Sequence, residues 1–297
     1  MSDRGGQDGN PQKNATTGDP DKILTALQED GASEPGGQRH SGTELAVALD
    51  YPRAEPAMRL VEKLRGVPGG ERLLFKVGLE LFTAGGPDLV RELVHLRQRV
   101  FLDLKLHDIP RTVARAARQA AVLHAELLTI HLAGGREMAR AVAQELSEIP
   151  SLRPKIIGVS VLTSFDDVRW AEVTRALTGH AVGVGASVAG LVGQALVWGV
   201  DGVVCSAHEL GWIRENHPGT FTVVPGIRPA GTDPGDQARI MTPGQASRAG
   251  ADLIVVGRPI TEAPEPEVVV RSILDELALA SNSGRDRPSP LLPGASR

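Results

Sequence analysis

Short apolar runs rich in β-branched residues alternate along this chain with stretches whose apolar residues recur at three- and four-residue intervals. The first pattern predicts strands buried on both faces, the second amphipathic helices. The strand runs are LAVALD (45–50), LLFKVG (73–78), VFLDLKL (100–106), LLTIHL (127–132), KIIGVSVLT (155–163), DGVVCS (201–206), FTVVPGI (221–227) and DLIVVG (252–257). Between them lie helical patterns such as EPAMRLVEKL, PDLVRELVHL, RTVARAARQAAVL and REMARAVAQEL. Pro56 and Pro87 fall near helix starts, where a missing N–H does no harm. Eight strands, each followed by a helix, predict a parallel sheet closed as a single (β/α)8 TIM barrel, with an open doubly wound sheet as the alternative.

A barrel makes a checkable demand, because its chemistry sits at the C-terminal ends of the strands. Polar residues do collect there: Asp50, Lys76, Asp103, Lys105, His131, Thr163, Ser206, Arg228 and Arg258. The N-terminal ends carry nothing comparable on this reading. The stretch FLDLKLHDIP (101–110) is the sharpest case, since three charges interrupt an apolar strand. Burying charge is costly unless it is paired or used. Side chains alternate along a strand, so Asp103 and Lys105 share the face that points into the barrel mouth, while Leu102, Leu104 and Leu106 face the helices. Asp108 follows just past the strand end. A self-satisfied ion pair is the bland reading, and Lys76 and Asp50 arriving at the same end weigh against it. Carboxylates nearby favour the ammonium form of Lys105, which suits a proton donor held by Asp103 and Asp108 rather than a Schiff-base lysine.

The last two strands suggest a phosphate site. VVGRP (255–259) places Gly257 and Arg258 where these barrels commonly hold phosphate. The Gly- and Pro-rich stretch PGIRPAGTDPGDQARIMTP (225–243) has the length and composition of a lid, and Gln237 within it can close over that phosphate.

Composition narrows the setting. A formal net charge of -4 leaves no basic footprint, so no nucleic acid partner is expected. No apolar run reaches the roughly 18–20 residues of a membrane span, and the N-terminal stretch has no apolar signal core, so a cytoplasmic protein is expected. The single Cys205 reads as a packed thiol in a reducing compartment. Residues 1–42 and 281–297 are polar, Gly- and Pro-rich, and read as disordered tails around a folded unit over 43–280.

Taken together, ALD (48–50), FKVGLELF (75–82), DLKLHDIPRT (103–112), VLTS (161–164), PGIRP (225–229), GDQARIMTP (235–243) and GRPIT (257–261) resemble the orotidine 5'-phosphate decarboxylases, in that family's order. The resemblance implies a homodimeric barrel that converts orotidine monophosphate to UMP without metal or organic cofactor. It implies that Lys105 protonates C6 of the pyrimidine as CO2 leaves, and that Asp103 lies near the substrate carboxylate. Asp108 would enter the neighbouring site from the partner subunit and complete an alternating array with Lys76. Asp50 and Lys76 would engage the ribose hydroxyls, with Thr112 of the partner loop nearby. Thr163, with Ser164 beside it, would lie by the ring; Gln237, Gly257 and Arg258 would hold the phosphate, and Arg228 would shape that end.

Three rivals share the barrel. A metal-dependent sugar-phosphate decarboxylase or aldolase carries a carboxylate where this chain has Lys76, which would repel a cation. A Schiff-base aldolase and a catalytically dead nucleotide-binding barrel are the others, the latter disfavoured by the intact Asp103, Lys105 and Asp108. GVGAS (183–187) lacks dinucleotide spacing and reads as a loop entering a helix. His131 reads as packed or hydrogen-bonded, His107 as a structural hydrogen-bonding residue, and no histidine cluster has metal-ligand spacing.

Overall fold

In the computed structural model, which describes residues 42–229 and 241–283, eight parallel strands close into a barrel in sequence order. Strand β1 (Glu44–Ala48) leads to helix α1 (Ala54–Arg65), β2 (Leu74–Gly78) to α2 (Leu79–His95), and β3 (Arg99–Leu106) to α3 (Pro110–Val122). Then β4 (Leu127–His131) leads to α4 (Gly135–Ser147), and β5 (Lys155–Val159) to α5 (Asp167–Thr178) and α6 (Val184–Ala195). The circuit finishes with β6 (Gly202–Val204), α7 (Ala207–Asn216), β7 (Phe221–Val224), α8 (Pro243–Arg248), β8 (Leu253–Val256), α9 (Arg258–Thr261) and α10 (Pro266–Ser283). Strand β1 pairs with both β2 and β8, which closes the sheet and rules out the open alternative. The expected tails fall, save for their inner edges, outside the described residues.

Alternation along the strands builds two separate cores. Val47, Phe75, Leu102, Leu128, Val203 and Ile254 face outward into the layer between strands and helices. The helices meet them with the spacing read from the sequence; α1 buries Ala57, Leu60, Val61 and Leu64. Each such leucine contributes roughly 1.5–3 kcal/mol on burial. Ala46, Ala48, Leu74, Phe101, Leu127, Ile157, Val223, Leu253 and Val255 face inward and plug the barrel. The plug matters for function, because whatever stands two residues further along each of these strands points into the mouth.

Several expected boundaries move. Strand β5 stops at Val159, so Thr163 and Ser164 stand in the loop that follows. Helix α2 runs from Leu79, bent at Gly86 (φ 57), and the segment expected to start at Pro87 is its second half. Gly183 is the N-cap of α6, so GVGAS does enter a helix. Strand β6 lies so close to β7 that a Cβ on Gly202 would stand 2.3 Å from the Phe221 carbonyl oxygen. Cys205 is buried, and burial pushes its thiol well above the ordinary range, which leaves it inert.

One expectation is corrected outright, because the N-terminal ends of the strands are strongly polar. Arg99 opens β3 and donates to Glu44 Oε1 of β1 at 2.7 Å, to Glu126 Oε2 just before β4 at 2.8 Å, and to the Arg72 carbonyl at 3.0 Å. Arg153 pairs with Asp201, whose Oδ2 accepts from the Ile156 N–H at 2.7 Å. Arg214 of α7 binds Asp252, Thr222 and the carbonyls of Thr220 and Gly250 across β7 and β8. Glu44, Arg99, Glu126, Arg153, Asp201 and Asp252 each open or precede a strand and read in the sequence as punctuation, while Arg214 reads as a solvated helix residue. Among the described residues no helix is long and apolar enough to cross a membrane.

Candidate active site

The period of two along a strand places the site above the plug. Two residues past Leu74 stands Lys76; two past Phe101, Asp103; two past Leu127, Thr129, and then His131; two past Ala48, Asp50; two past Val255, Gly257. Four neighbouring strand ends, β1 to β4, thus deliver polar side chains to one mouth, and β8 beside them brings a glycine.

Asp103 is the hub. Its Oδ2 accepts from Lys105 Nζ at 2.7 Å and lies 3.6 Å from Lys76 Nζ. Its Oδ1 accepts from the Thr129 hydroxyl at 3.0 Å. Lys76 Nζ in turn donates to Asp50 Oδ1 at 3.1 Å. The row therefore runs Asp50, Lys76, Asp103, Lys105, alternating in sign, and its outer members are the more exposed: the side chains of Asp50 and Lys105 are 60% and 30% accessible, those of Lys76 and Asp103 only 10% and 13%. Burial pushes the Asp103 carboxyl up, but the charges of Lys76 and Lys105 and the hydrogen bonds from Lys105 and Thr129 outweigh it and hold the carboxyl below its ordinary range. Such a row can hold a substrate anion beside a buried carboxylate and offer it a proton from a charged ammonium.

Room for the row comes from missing side chains. A Cβ on Gly78 would stand 3.2 Å from Lys76 Nζ and 3.5 Å from Asp50 Oδ1; one on Gly257 would stand 3.5 Å from Asp50 Oδ2. Tyr51 next to Asp50 donates its hydroxyl to the Thr261 carbonyl at 3.2 Å, which ties the end of β1 to the helix that Arg258 opens.

Not every expected residue joins this row. Asp108 is exposed, and its Oδ1 accepts from the Ile109 N–H at 2.6 Å. Among the described residues it makes no ion pair, and the carboxylate that binds Lys105 Nζ within the chain is that of Asp103. Thr112 is exposed on the first turn of α3, and Thr163 and Ser164 are exposed in the loop after β5. Arg228 is buried after β7; its N–H donates to the Met241 carbonyl at 3.0 Å and its Nη1 to the Ile227 carbonyl at 3.1 Å. Gly257 caps α9 at its N-terminus, and Arg258 is exposed at its first position. Gln237, and the centre of the expected lid with it, lies outside the described residues.

The rings of His107 and His131 lie near the row, tilted by 40° to each other with centroids 5.5 Å apart. Burial, then the charges of His107 and Lys105, hold His131 below its ordinary range despite the opposing pull of Asp103, so it is neutral at pH 7. The hydrogen bond expected of His107 is absent among the described residues, and the residue is exposed. Thr129 escaped the sequence reading altogether. It is fully buried and central to the row, yet a threonine in an apolar strand looks like any β-branched filler. Counting two residues on from an inward-facing leucine is the signal that finds it.

Comparison with known proteins agrees with this geometry. A family model described as Orotidine 5'-phosphate decarboxylase / HUMPS family matches residues 43–273. A protein of Anaeromyxobacter dehalogenans named orotidine 5'-phosphate decarboxylase is 48% identical over 233 residues, covering 77% of this chain and 96% of its own length. One of the same name from Nitratidesulfovibrio vulgaris is 44% identical over 240 residues, covering 79% and 97%. The crystal structure of orotidine 5'-phosphate decarboxylase from Lactobacillus acidophilus superposes with a TM-score of 0.68 at 34% identity, covering 79% of this chain and 99% of that one. Matched along nearly the whole length of such relatives, with its charged row on the strands where the motifs fall, this chain belongs to the orotidine 5'-phosphate decarboxylase / HUMPS family.

Proposed function

We propose that the protein decarboxylates orotidine 5'-phosphate to UMP and CO2 in de novo pyrimidine synthesis, with no metal or organic cofactor. The observation that carries the reading is the pair of ammonium groups, Lys76 and Lys105, set on the single, mostly covered carboxylate of Asp103 at the barrel mouth. The C6–carboxylate bond of the pyrimidine breaks and leaves its electron pair on C6. Lys105 Nζ gives a proton to that carbon and is left as the neutral amine, which water reprotonates. Asp103 faces the departing carboxylate and keeps Lys105 charged and in place. A row fixed before substrate arrives needs no reorganisation as charge develops.

The remaining residues bind. Asp50 and Lys76 take the ribose hydroxyls, with Thr112 of the partner subunit close by, and Thr163 and Ser164 lie by the pyrimidine. Gly257 and Arg258 hold the phosphate, Arg228 shapes that end, and Gln237 closes over it. Asp108 of the partner subunit extends the row past Lys105, so the working form is a homodimer; the exposure of Asp108 and the absence of an ion pair to it among the described residues support that role. The barrel over residues 43–280 is the catalytic unit, and the enzyme works in the cytoplasm. The metal-dependent branch would need a carboxylate where Lys76 stands.

The test is the ultraviolet change of orotidine 5'-phosphate with purified protein and EDTA, beside Lys105→Ala. Turnover that survives EDTA and is lost in the variant supports the proposal. Turnover that EDTA abolishes points to the metal-dependent branch, and binding without turnover to a nucleotide-binding barrel.

A further inference from the structure

Among the described residues three non-glycine residues have positive φ: Arg97, Lys105 and His124. Arg97 and His124 each stand one residue past the C-cap of a helix, α2 and α3, where a left-handed residue is an ordinary way to finish. Lys105, at φ 48, lies inside a strand. No chain end asks for that conformation there, and a long side chain resists it.

The left-handed residue throws β3 out of register with β4 between Leu102 and Leu106. A bulge of this kind re-aims a side chain and leaves a backbone group off the ladder. Here the stranded group is the Lys105 N–H, and Thr129 Oγ1 accepts it at 2.8 Å. A hydroxyl has a single proton to give, and Thr129 gives it to Asp103 Oδ1 at 3.0 Å. One fully buried oxygen therefore holds both the backbone of Lys105 and the carboxylate that binds its Nζ.

We infer that Thr129 is a positioning residue for the proton transfer: it holds the left-handed turn at Lys105 and the carboxylate of Asp103 in one fixed relation, without itself touching substrate. The inference rests on the decarboxylase reading above. The groups facing Asp103 are Lys76 from β2, Lys105 from its own strand, and Thr129 and His131 from β4, with Asp50 reached through Lys76.

The experiment compares the full-length protein with Thr129→Val, Thr129→Ala and Thr129→Ser. Two readings are taken: steady-state turnover of orotidine 5'-phosphate against pH, and titration of the Asp103 carboxyl by carbon-13 NMR. Loss of the hydroxyl should lower kcat on the order of 10²-fold with KM little changed, since a misplaced reacting group costs about that much. It should also move the acid limb of kcat and the Asp103 titration to higher pH, because a hydrogen bond to the charged form is gone. Thr129→Ser should restore both. A folded Thr129→Val or Thr129→Ala with wild-type kcat and an unmoved Asp103 titration overturns the inference, as does a serine variant impaired as deeply as the valine one. If the valine chain does not fold, the alanine and serine variants carry the comparison. Failure of the wild type to turn over substrate would count against the decarboxylase reading, and the carboxyl titration would still decide the part played by Thr129.

Discussion

Asp103→Asn removes one charge from the centre of the row and keeps the shape. At 2.7 and 3.6 Å the carboxylate attracts Lys105 and Lys76. At an effective dielectric near 20 those attractions are worth about 6 and about 5 kcal/mol. Most of this offsets the cost of taking the carboxylate out of water, so neither figure is a net stability. The substitution leaves two ammonium groups around a neutral amide, and breaking a buried pair in this way costs about 3–5 kcal/mol. The partial exposure of Lys105 puts the expectation at the lower end, about 3 kcal/mol, because water screens that side. For a barrel of this size the midpoint of thermal unfolding should fall by roughly 6–12 °C. The pH dependence has a definite sign. The Asp103 carboxyl lies below its ordinary range in the folded chain, so its stabilisation is complete above the unfolded value of about 4 and is lost as pH falls through the folded one. The gap between wild type and variant, read by urea unfolding, should be full at pH 7 and should narrow below about pH 4. Turnover of orotidine 5'-phosphate should fall on the order of 10²–10³-fold. A variant within about 0.5 kcal/mol of wild type at pH 7, or a gap that stays constant into acid, would refute the electrostatic account.

Other perturbations separate the parts of the molecule. Mixing Lys105→Ala with Asp108→Ala, each inactive alone, should restore activity in about one site in four if Asp108 crosses between subunits, since half the dimers are mixed and each carries one complete site; no recovery would place Asp108 in its own chain's site. Gly78→Ala brings a methyl to 3.2 Å from Lys76 Nζ and should lower kcat/KM about tenfold with the melting temperature nearly unchanged. Arg99→Met leaves Glu44 and Glu126 without their shared cation and should cost about 2 kcal/mol, read as a fall of roughly 4–8 °C in melting temperature, with kcat unaffected.

How far the sequence could be read depended on which physical rule governed each residue. The barrel was legible because buried parallel strands are apolar throughout and their helices keep a strict period; Phe101 and Leu102 fall on opposite faces as alternation requires. Lys76, Asp103 and Lys105 were legible because charge inside an apolar run has few cheap explanations. Thr129 was not, since its role comes from a bulge that no propensity announces, and its type is at home in any strand. Asp108 follows the bulge, past the point where counting along a regular strand predicts direction, so its place in the partner's site comes from the resemblance alone. The floor charges were missed for a different reason. Glu44, Arg99 and Asp252 stand at strand ends, and only the closed sheet reveals that residues far apart in sequence meet there.

That floor bears on how such a barrel can change over evolutionary time. Arg99 joins the starts of β1, β3 and β4, and Arg214 joins β7 to β8, all on the face opposite the charged row. Strand register is thus fixed by residues that never meet substrate. The mouth can exchange its side chains one at a time, passing through weakly active intermediates, while the frame beneath keeps its alignment. A search for new chemistry on this scaffold should therefore randomise the positions two residues above the plug and leave the floor untouched.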